Sequence, residues 1–270
     1  MLRQRIITAL ILAPIAVGGV FFLPPLFFGV FVGAILTVAA WEWANLAHLG
    51  GAMRYGYALV IALLMAATHW IDAAIPLLVA GLLWWSVAMA LILQYPDATR
   101  LWRDPGVKAA IGILVLVPGF VSLIALKSMA DSTFLISLLF VLIWSTDIGA
   151  YFVGRAFGKR KLAPKVSPGK SWEGVYGGLM AAIVVVVAMG AWFDPALLFS
   201  LDGLVFTSGC VAVAAVSIVG DLAVSMFKRA RDIKDSSNLL PGHGGVLDRI
   251  DSLLSAGPVF AVFLLWFRAS

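Results

Sequence analysis

The chain has 270 residues, 62% of them hydrophobic and only 12% charged, and a mean hydropathy of +1.03. A water-soluble domain carries roughly 25% charged residues, so a soluble globular fold is excluded. The net charge of +5 comes from basic residues gathered in connections, and the one cysteine, Cys210, excludes an internal disulfide or a cysteine metal cluster.

A helix needs about 20 apolar residues to cross a hydrocarbon core about 30 Å thick. Membrane barrels show short alternating segments instead. The long continuous apolar runs here therefore predict an all-α, polytopic integral membrane bundle. Nine spans are expected, near 6–23, 26–46, 56–71, 74–94, 107–126, 133–153, 174–193, 203–227 and 253–267. The opening run, MLRQRIITALILAPIAVGGVFF, has the charge and hydrophobicity of a signal peptide. It lacks a clear small-residue cleavage site and a second apolar run follows at once, so it reads as a retained first span. No internal repeat or soluble domain is visible. Residues 1–270 read as a single membrane domain, with spans 1–126 as scaffold and 133–270 carrying the polar motifs.

Lys and Arg set the orientation, because cytoplasmic loops are enriched in them. With the N-terminus cytoplasmic and nine spans, every basic residue except Lys127 and Arg268 falls on the inner side. The outer connections then carry Asp72, Asp131, Asp194 and Asp202. The expected protein is thus multi-pass, with a cytoplasmic N-terminus and a periplasmic C-terminus. An eight-span arrangement would scatter these charges over both faces.

Two inner connections hold more polar residue types than orientation requires. The first, Asp147 to Gly174, reads DIGAYFVGRAFGKRKLAPKVSPGKSWEG. Gly154, Gly158 and Gly169 let backbone amides come close to an oxyanion, and Lys165, Ser167, Lys170 and Ser171 add side-chain donors, a set that suits a phosphate chain. SPGKS is not a P-loop, since it lacks the spaced first glycine and no strand is predicted before it. The plainer reading is a basic rim on anionic lipid heads.

The carboxylates are more telling. Asp147 and Asp221 stand at the inner ends of apolar spans, where a charge is costly and usually functional. Ser225 and Lys228 follow Asp221 at i+4 and i+7, so one helix face presents a carboxylate, a hydroxyl and an ammonium. Asp248 and Asp251 lie a turn apart in LDRID. Magnesium favours one or two carboxylates with substrate phosphates and water, and Asp221 and Asp248, from different spans, supply such a pair. Ordinary salt bridging is the competing reading for Asp235 and Asp248 and the better one for Asp232. PGHGG is a turn almost free of side chains, where His243 either bonds a phosphate or organises the turn. Glu42, in WEWANL, either lines the same polar cavity or pairs with Arg54. The aromatic residues read as packing and interface belts, and no nucleic-acid partner is expected.

The stretch SMFKRARDIKDSSNLLPGHGGVLDRID resembles the signature of the phosphatidate cytidylyltransferases, or CDP-diacylglycerol synthases. Ser225, Lys228, Arg229, Lys234, Asp235, Pro241, His243, Gly244, Gly245, Asp248, Arg249 and Asp251 fill that pattern without a gap. The segment after Asp147 is similar to the family's other shared stretch, although Ile148 stands where threonine is usual. The resemblance implies transfer of the cytidylyl group of CTP to phosphatidic acid, giving CDP-diacylglycerol and pyrophosphate, at the cytoplasmic face of a bacterial inner membrane. It also implies Mg²⁺ on Asp221 and Asp248, a nearby monovalent cation such as K⁺, and a homodimer. Within it, Lys165, Lys170, Lys228 and Arg229 hold pyrophosphate or the lipid head, while Asp147 and Asp251 support the site or ligate a cation. A transporter of an anionic substrate is the rival from another class; it would place its carboxylates near the bilayer midplane, often in repeated halves. A nucleotidyltransferase for another lipid phosphate is the nearer rival.

Overall fold

The computed structural model describes residues 2–193, 195 and 200–268. In chain order the helices are α1 (Leu2–Phe22), α2 (Pro25–Leu46), α3 (Ala52–Ala67), α4 (Ala74–Leu93), the short α5 (Thr99–Trp102), α6 (Pro105–Lys127), α7 (Ser132–Phe157), α8 (Trp172–Phe193), α9 (Leu201–Arg229) and α10 (Leu247–Phe267). Each of the nine apolar runs is a helix. Among the described residues, seven of them are long and apolar enough to cross a membrane, and α3, at 16 residues, is shorter. Asp194, expected in an outer connection, lies outside the described residues.

Local chemistry sets several helix starts. Pro25 and Pro105 occupy first helical positions, where the missing N–H costs nothing. Asp104 caps α6 by accepting from the amides of Gly106 at 2.8 Å and Val107 at 3.1 Å. Ser200 caps α9 through the amide of Gly203 at 3.0 Å. Lys228 and Arg229 close α9 in its last turn, where cations complement the helix dipole.

The long helices run alternately up and down. At one end, Trp43 near the close of α2 donates to the carbonyl of Lys108 near the start of α6. Thr8 of α1 donates to the carbonyl of Pro241, in the loop before α10. At the other end, Lys127 of α6 donates to the carbonyl of Val20 in α1, and Arg268 pairs with Asp131 just before α7. The start of α1 and the close of α10 therefore lie at opposite ends of the bundle.

Between α7 and α8 the chain forms a hairpin of β1 (Lys161–Ala163) and β2 (Ser167–Ser171), antiparallel, with Lys161 opposite Ser171. SPGKS is thus itself a strand and another precedes it, contrary to the sequence expectation. A three-residue partner is too short to show an alternating pattern.

Helix packing is closest where side chains are smallest. A Cβ on Gly149 of α7 would stand 2.6 Å from the carbonyl oxygen of Gly177 in α8, a backbone approach typical of small-residue membrane interfaces. Beneath the polar end, Phe227 packs against Trp43 and Trp102 at ring separations of 5.1 and 4.6 Å. That aromatic cluster fixes the last turns of α9 on α2 and α5.

Candidate active site

The close of α9 carries Asp221, Ser225 and Lys228 on one face, as their spacing requires. Ser225 Oγ donates to Asp221 Oδ1 at 3.3 Å, and the other oxygen, Oδ2, takes the ammonium of Lys170 from β2 at 2.6 Å. Along the chain, no basic residue follows Asp221 before Lys228; the hairpin supplies one from 51 positions upstream. Both side chains remain about a third exposed, at 32% for Asp221 and 27% for Lys170.

Asp248 is built differently. Its Oδ1 holds the Lys228 ammonium at 2.6 Å, and its Oδ2 accepts from Ser236 N at 2.8 Å, Ser236 Oγ at 3.0 Å and Gly245 N at 2.9 Å. Asp248 thus forms the salt bridge that its basic surroundings allowed, with Lys228. Lys228 also acts electrostatically on Asp221 and on Asp251, and Asp221 acts on Asp147 and Asp251. Lys170 and Lys228 thus each hold one of these carboxylates, Asp221 and Asp248, with Asp147 and Asp251 in electrostatic range.

A glycine makes the convergence possible. At Gly220 a Cβ would come within 2.5 Å of the carbonyl oxygen of Asp251. Only a residue without a side chain lets α9 and α10 approach so closely beside Asp221.

A cavity of about 410 Å³ opens between α7, the hairpin, α8 and α9. Asp147, Tyr151, Arg155, Ser167, Lys170 and Ser171 supply its polar lining, and its volume lies in the range of small-molecule sites. Arg155 donates to the Tyr151 hydroxyl at 3.0 Å. Ser171 is buried and accepts from the amide of Gly174, capping the start of α8.

The loop before α10 folds on itself. Leu240 N donates to Gly244 O and His243 N to Leu240 O, each at 2.8 Å. Gly242 and Gly244 have φ of +76° and +83°, a region glycine enters freely. His243 thus joins the turn through its backbone, while its Nδ1 is buried with no hydrogen-bond partner among the described residues.

The remaining expected residues spread around this centre. Arg229 turns onto backbone, donating to Val166 O at 3.2 Å and Ile233 O at 3.3 Å, and so pins the hairpin turn. Lys165, Lys234, Asp235 and Arg249 are exposed. Arg249 lies in electrostatic range of Asp147, and Asp235 stands beside Gly244.

Glu42 was expected from the sequence to line the polar cavity or to pair with Arg54. In the fold it is fully buried, accepting from Ser237 Oγ at 2.6 Å and Val246 N at 2.9 Å on Oε1 and from Leu247 N at 2.6 Å on Oε2, while Ser236 Oγ, 3.0 Å from Oε2, shares its one proton between that oxygen and Asp248 Oδ2. Arg54 goes elsewhere, with its Nε on the Trp41 carbonyl and its guanidinium 3.6 Å over the Trp41 ring.

The donor set suits a hard cation. Its ligands are all carboxylate and hydroxyl oxygens, and two ammoniums already sit as stand-in cations on Asp221 Oδ2 and Asp248 Oδ1. No cage of three His, Cys, Asp or Glu occurs among the described residues, nor does Mg²⁺ need one when substrate phosphates complete its shell.

Residues 3–267 match the profile of the cytidylyltransferase family. The chain belongs to that family. Among the relatives of this cytidylyltransferase is the phosphatidate cytidylyltransferase of Pseudomonas aeruginosa, 52% identical over 273 residues, which cover 98% of this chain and 97% of that one. The phosphatidate cytidylyltransferase of Haemophilus influenzae is 37% identical over 283 residues, 97% of this chain and 98% of its own. That of Bacillus subtilis is 45% identical over 125 residues, about half of each chain. Membership makes the chain a nucleotidyl-transferring enzyme.

Proposed function

We propose that this chain transfers the cytidylyl group of CTP to phosphatidic acid, giving CDP-diacylglycerol and pyrophosphate. The observation that carries the reading is the pairing of Asp221 with Lys170 and of Asp248 with Lys228, beside a cavity lined by Asp147 and Lys170, in a family member. The name of the Pseudomonas aeruginosa relative supplies the acceptor.

An oxygen of the lipid phosphate attacks the α-phosphorus of CTP. A new phosphorus–oxygen bond forms, the bond from the α-phosphorus to the bridging oxygen of the β-phosphate breaks, and pyrophosphate leaves with that electron pair. A phosphate monoester is ionised at neutral pH, so the step needs no strong general base. Repulsion is the obstacle. Two like unit charges 4 Å apart repel by about 4 kcal/mol near a protein surface, and several such pairs meet here. Positioning and neutralisation therefore dominate, as in other transfers at phosphorus.

Lys170, at the cavity, neutralises the nucleotide phosphates, with Ser167 and Ser171 on the same strand. Lys228 links the α9 and α10 halves of the site by holding Asp248. Asp221 and Asp248 would hold Mg²⁺, which when bound supplies positive charge to the phosphates. Asp147 lines the cavity beside Lys170, and the buried Asp251 supports the arrangement from α10.

The polar end faces the cytosol in this reading, where CTP is found. The support is the placement of every Lys and Arg but Lys127 and Arg268 toward that end under the nine-span orientation. Diacyl chains stay in the lipid while the head group enters at the interface.

The test uses purified protein in detergent micelles with CTP and phosphatidate, first with Mg²⁺ and then with chelator. A lipid-soluble cytidylyl product that disappears on chelation is expected. No product with Mg²⁺ present overturns the reading, and a transporter, which needs a sealed compartment, gives none in micelles.

A further inference from the structure

The carboxylate of Glu42 belongs to α2, in the half of the chain expected to be scaffold. Its hydrogen-bond partners all lie 194 to 205 positions away. Two of the donors, the amides of Val246 and Leu247, are at the start of α10, where the first turn of a helix leaves N–H groups without intrahelical partners. No side chain at the α10 N-cap satisfies them. Glu42 caps α10 from another helix, and a carboxylate at that end also complements the helix dipole.

The remaining two donors tie this cap to the site. Ser236 Oγ lies 3.0 Å from Glu42 Oε2 and 3.0 Å from Asp248 Oδ2, and Ser236 N donates to the same Asp248 oxygen. Gly245 continues the link on the backbone: its amide donates to Asp248 Oδ2, while a Cβ there would come within 2.5 Å of Glu42 Oε1. The loop from Ser236 to Leu247 is thus clamped between two carboxylates, one buried in α2 and one at the site.

We propose that Glu42 is a positioning residue for the cytidylyl transfer, fixing the orientation of Asp248 through Ser236, Gly245 and the start of α10. The claim rests on the function proposed above. A fully buried carboxylate is tolerated only when paired or hydrogen-bonded, and charge-assisted bonds of this kind are short and directional. A glutamine in its place keeps the shape but offers one acceptor oxygen instead of two. Serine hydroxyls can turn away; a backbone amide cannot. One end of the clamp must open, and Asp248 turns with it.

The test compares wild type, Glu42→Gln, Ser236→Ala and the double variant, each as full-length protein in micelles. Turnover is measured against CTP and phosphatidate, with thermal stability and amide hydrogen exchange over residues 236–248. Glu42→Gln is expected to lower kcat about 100-fold, the cost of a misplacement of about 1 Å, with both KM values within about 3-fold. The double variant should be no worse than the poorer single one, because the two act as one unit. Exchange across 236–248 should quicken while the other spans hold. Wild-type kcat in a folded Glu42→Gln protein, or additive losses, overturns the proposal. Should Glu42→Gln fail to fold, Ser236→Ala, which leaves both α10 amides bonded, must still lower kcat about 10-fold or more, and wild-type turnover there overturns it. If wild type itself makes no product, the functional reading fails; the anchoring of Asp248 is then decided by exchange alone, and an unchanged rate in Glu42→Gln overturns it.

Discussion

The Lys228 ammonium lies 2.6 Å from Asp248 Oδ1, and the two side chains are only 10% and 3% exposed. Three further donors reach the other oxygen of Asp248. This pair joins α9 to α10 where the site is most enclosed, and removing one member strands the other. Lys228→Met should lower unfolding stability by about 3 kcal/mol, as expected for an uncompensated buried charge. Adding Asp248→Asn should recover part of that loss. Denaturation of the two variants in the same detergent checks both outcomes, and a single variant as stable as wild type contradicts the first.

The Lys170–Asp221 pair has the same length but about a third of each side chain is exposed. Exposed pairs contribute under about 1 kcal/mol, so Lys170→Ala should change the melting temperature little. Its effect should fall on turnover instead, about 100-fold or more, in the range seen when one donor to a developing charge is removed. A thermal shift beside a turnover assay separates the two. Full activity in Lys170→Ala removes it from the site.

Asp221→Asn should lower turnover by more than about 100-fold and raise the Mg²⁺ concentration needed for half-maximal rate. Asparagine keeps the shape and the bond from Ser225 but loses the charge. The bundle should stay folded, because Asp221 carries no packing comparable to Phe227 or Trp43. A magnesium titration of wild type and variant is the measurement. Identical curves contradict the assignment of the cation to this carboxylate.

Gly220→Val should displace α9 from α10, since a Cβ there meets the Asp251 backbone and Ser255. A loss of about 1–3 kcal/mol is expected for such overpacking, together with loss of turnover as α9 carries Asp221 away from α10. Stability equal to wild type would show that the helices are not held at that distance.

Much of this was legible in the sequence. Each of the nine expected apolar runs is helical among the described residues because hydrophobic length is a local property. The i, i+4, i+7 face of Asp221, Ser225 and Lys228 is local too, and it formed as expected. What stayed hidden depends on tertiary approach. The partner of Asp221 comes from a strand too short to show a pattern. The partners of Glu42 come from the far end of the chain, so the nearby Arg54 was the only basic partner its local sequence offered, and that pair does not form. Arg229 reads as an anion contact in a basic run, yet its guanidinium holds the Val166 carbonyl, a contact set by where the hairpin happens to turn.

The central claim is that this end of the bundle joins a lipid phosphate to the α-phosphorus of CTP. Two labelled nucleotides decide it, one marked at the α-phosphate and one at the γ-phosphate, each incubated with purified protein, phosphatidate and Mg²⁺. The α-label should enter the lipid phase and the γ-label should leave as soluble pyrophosphate. A γ-label recovered in lipid, or neither label transferred, would contradict it.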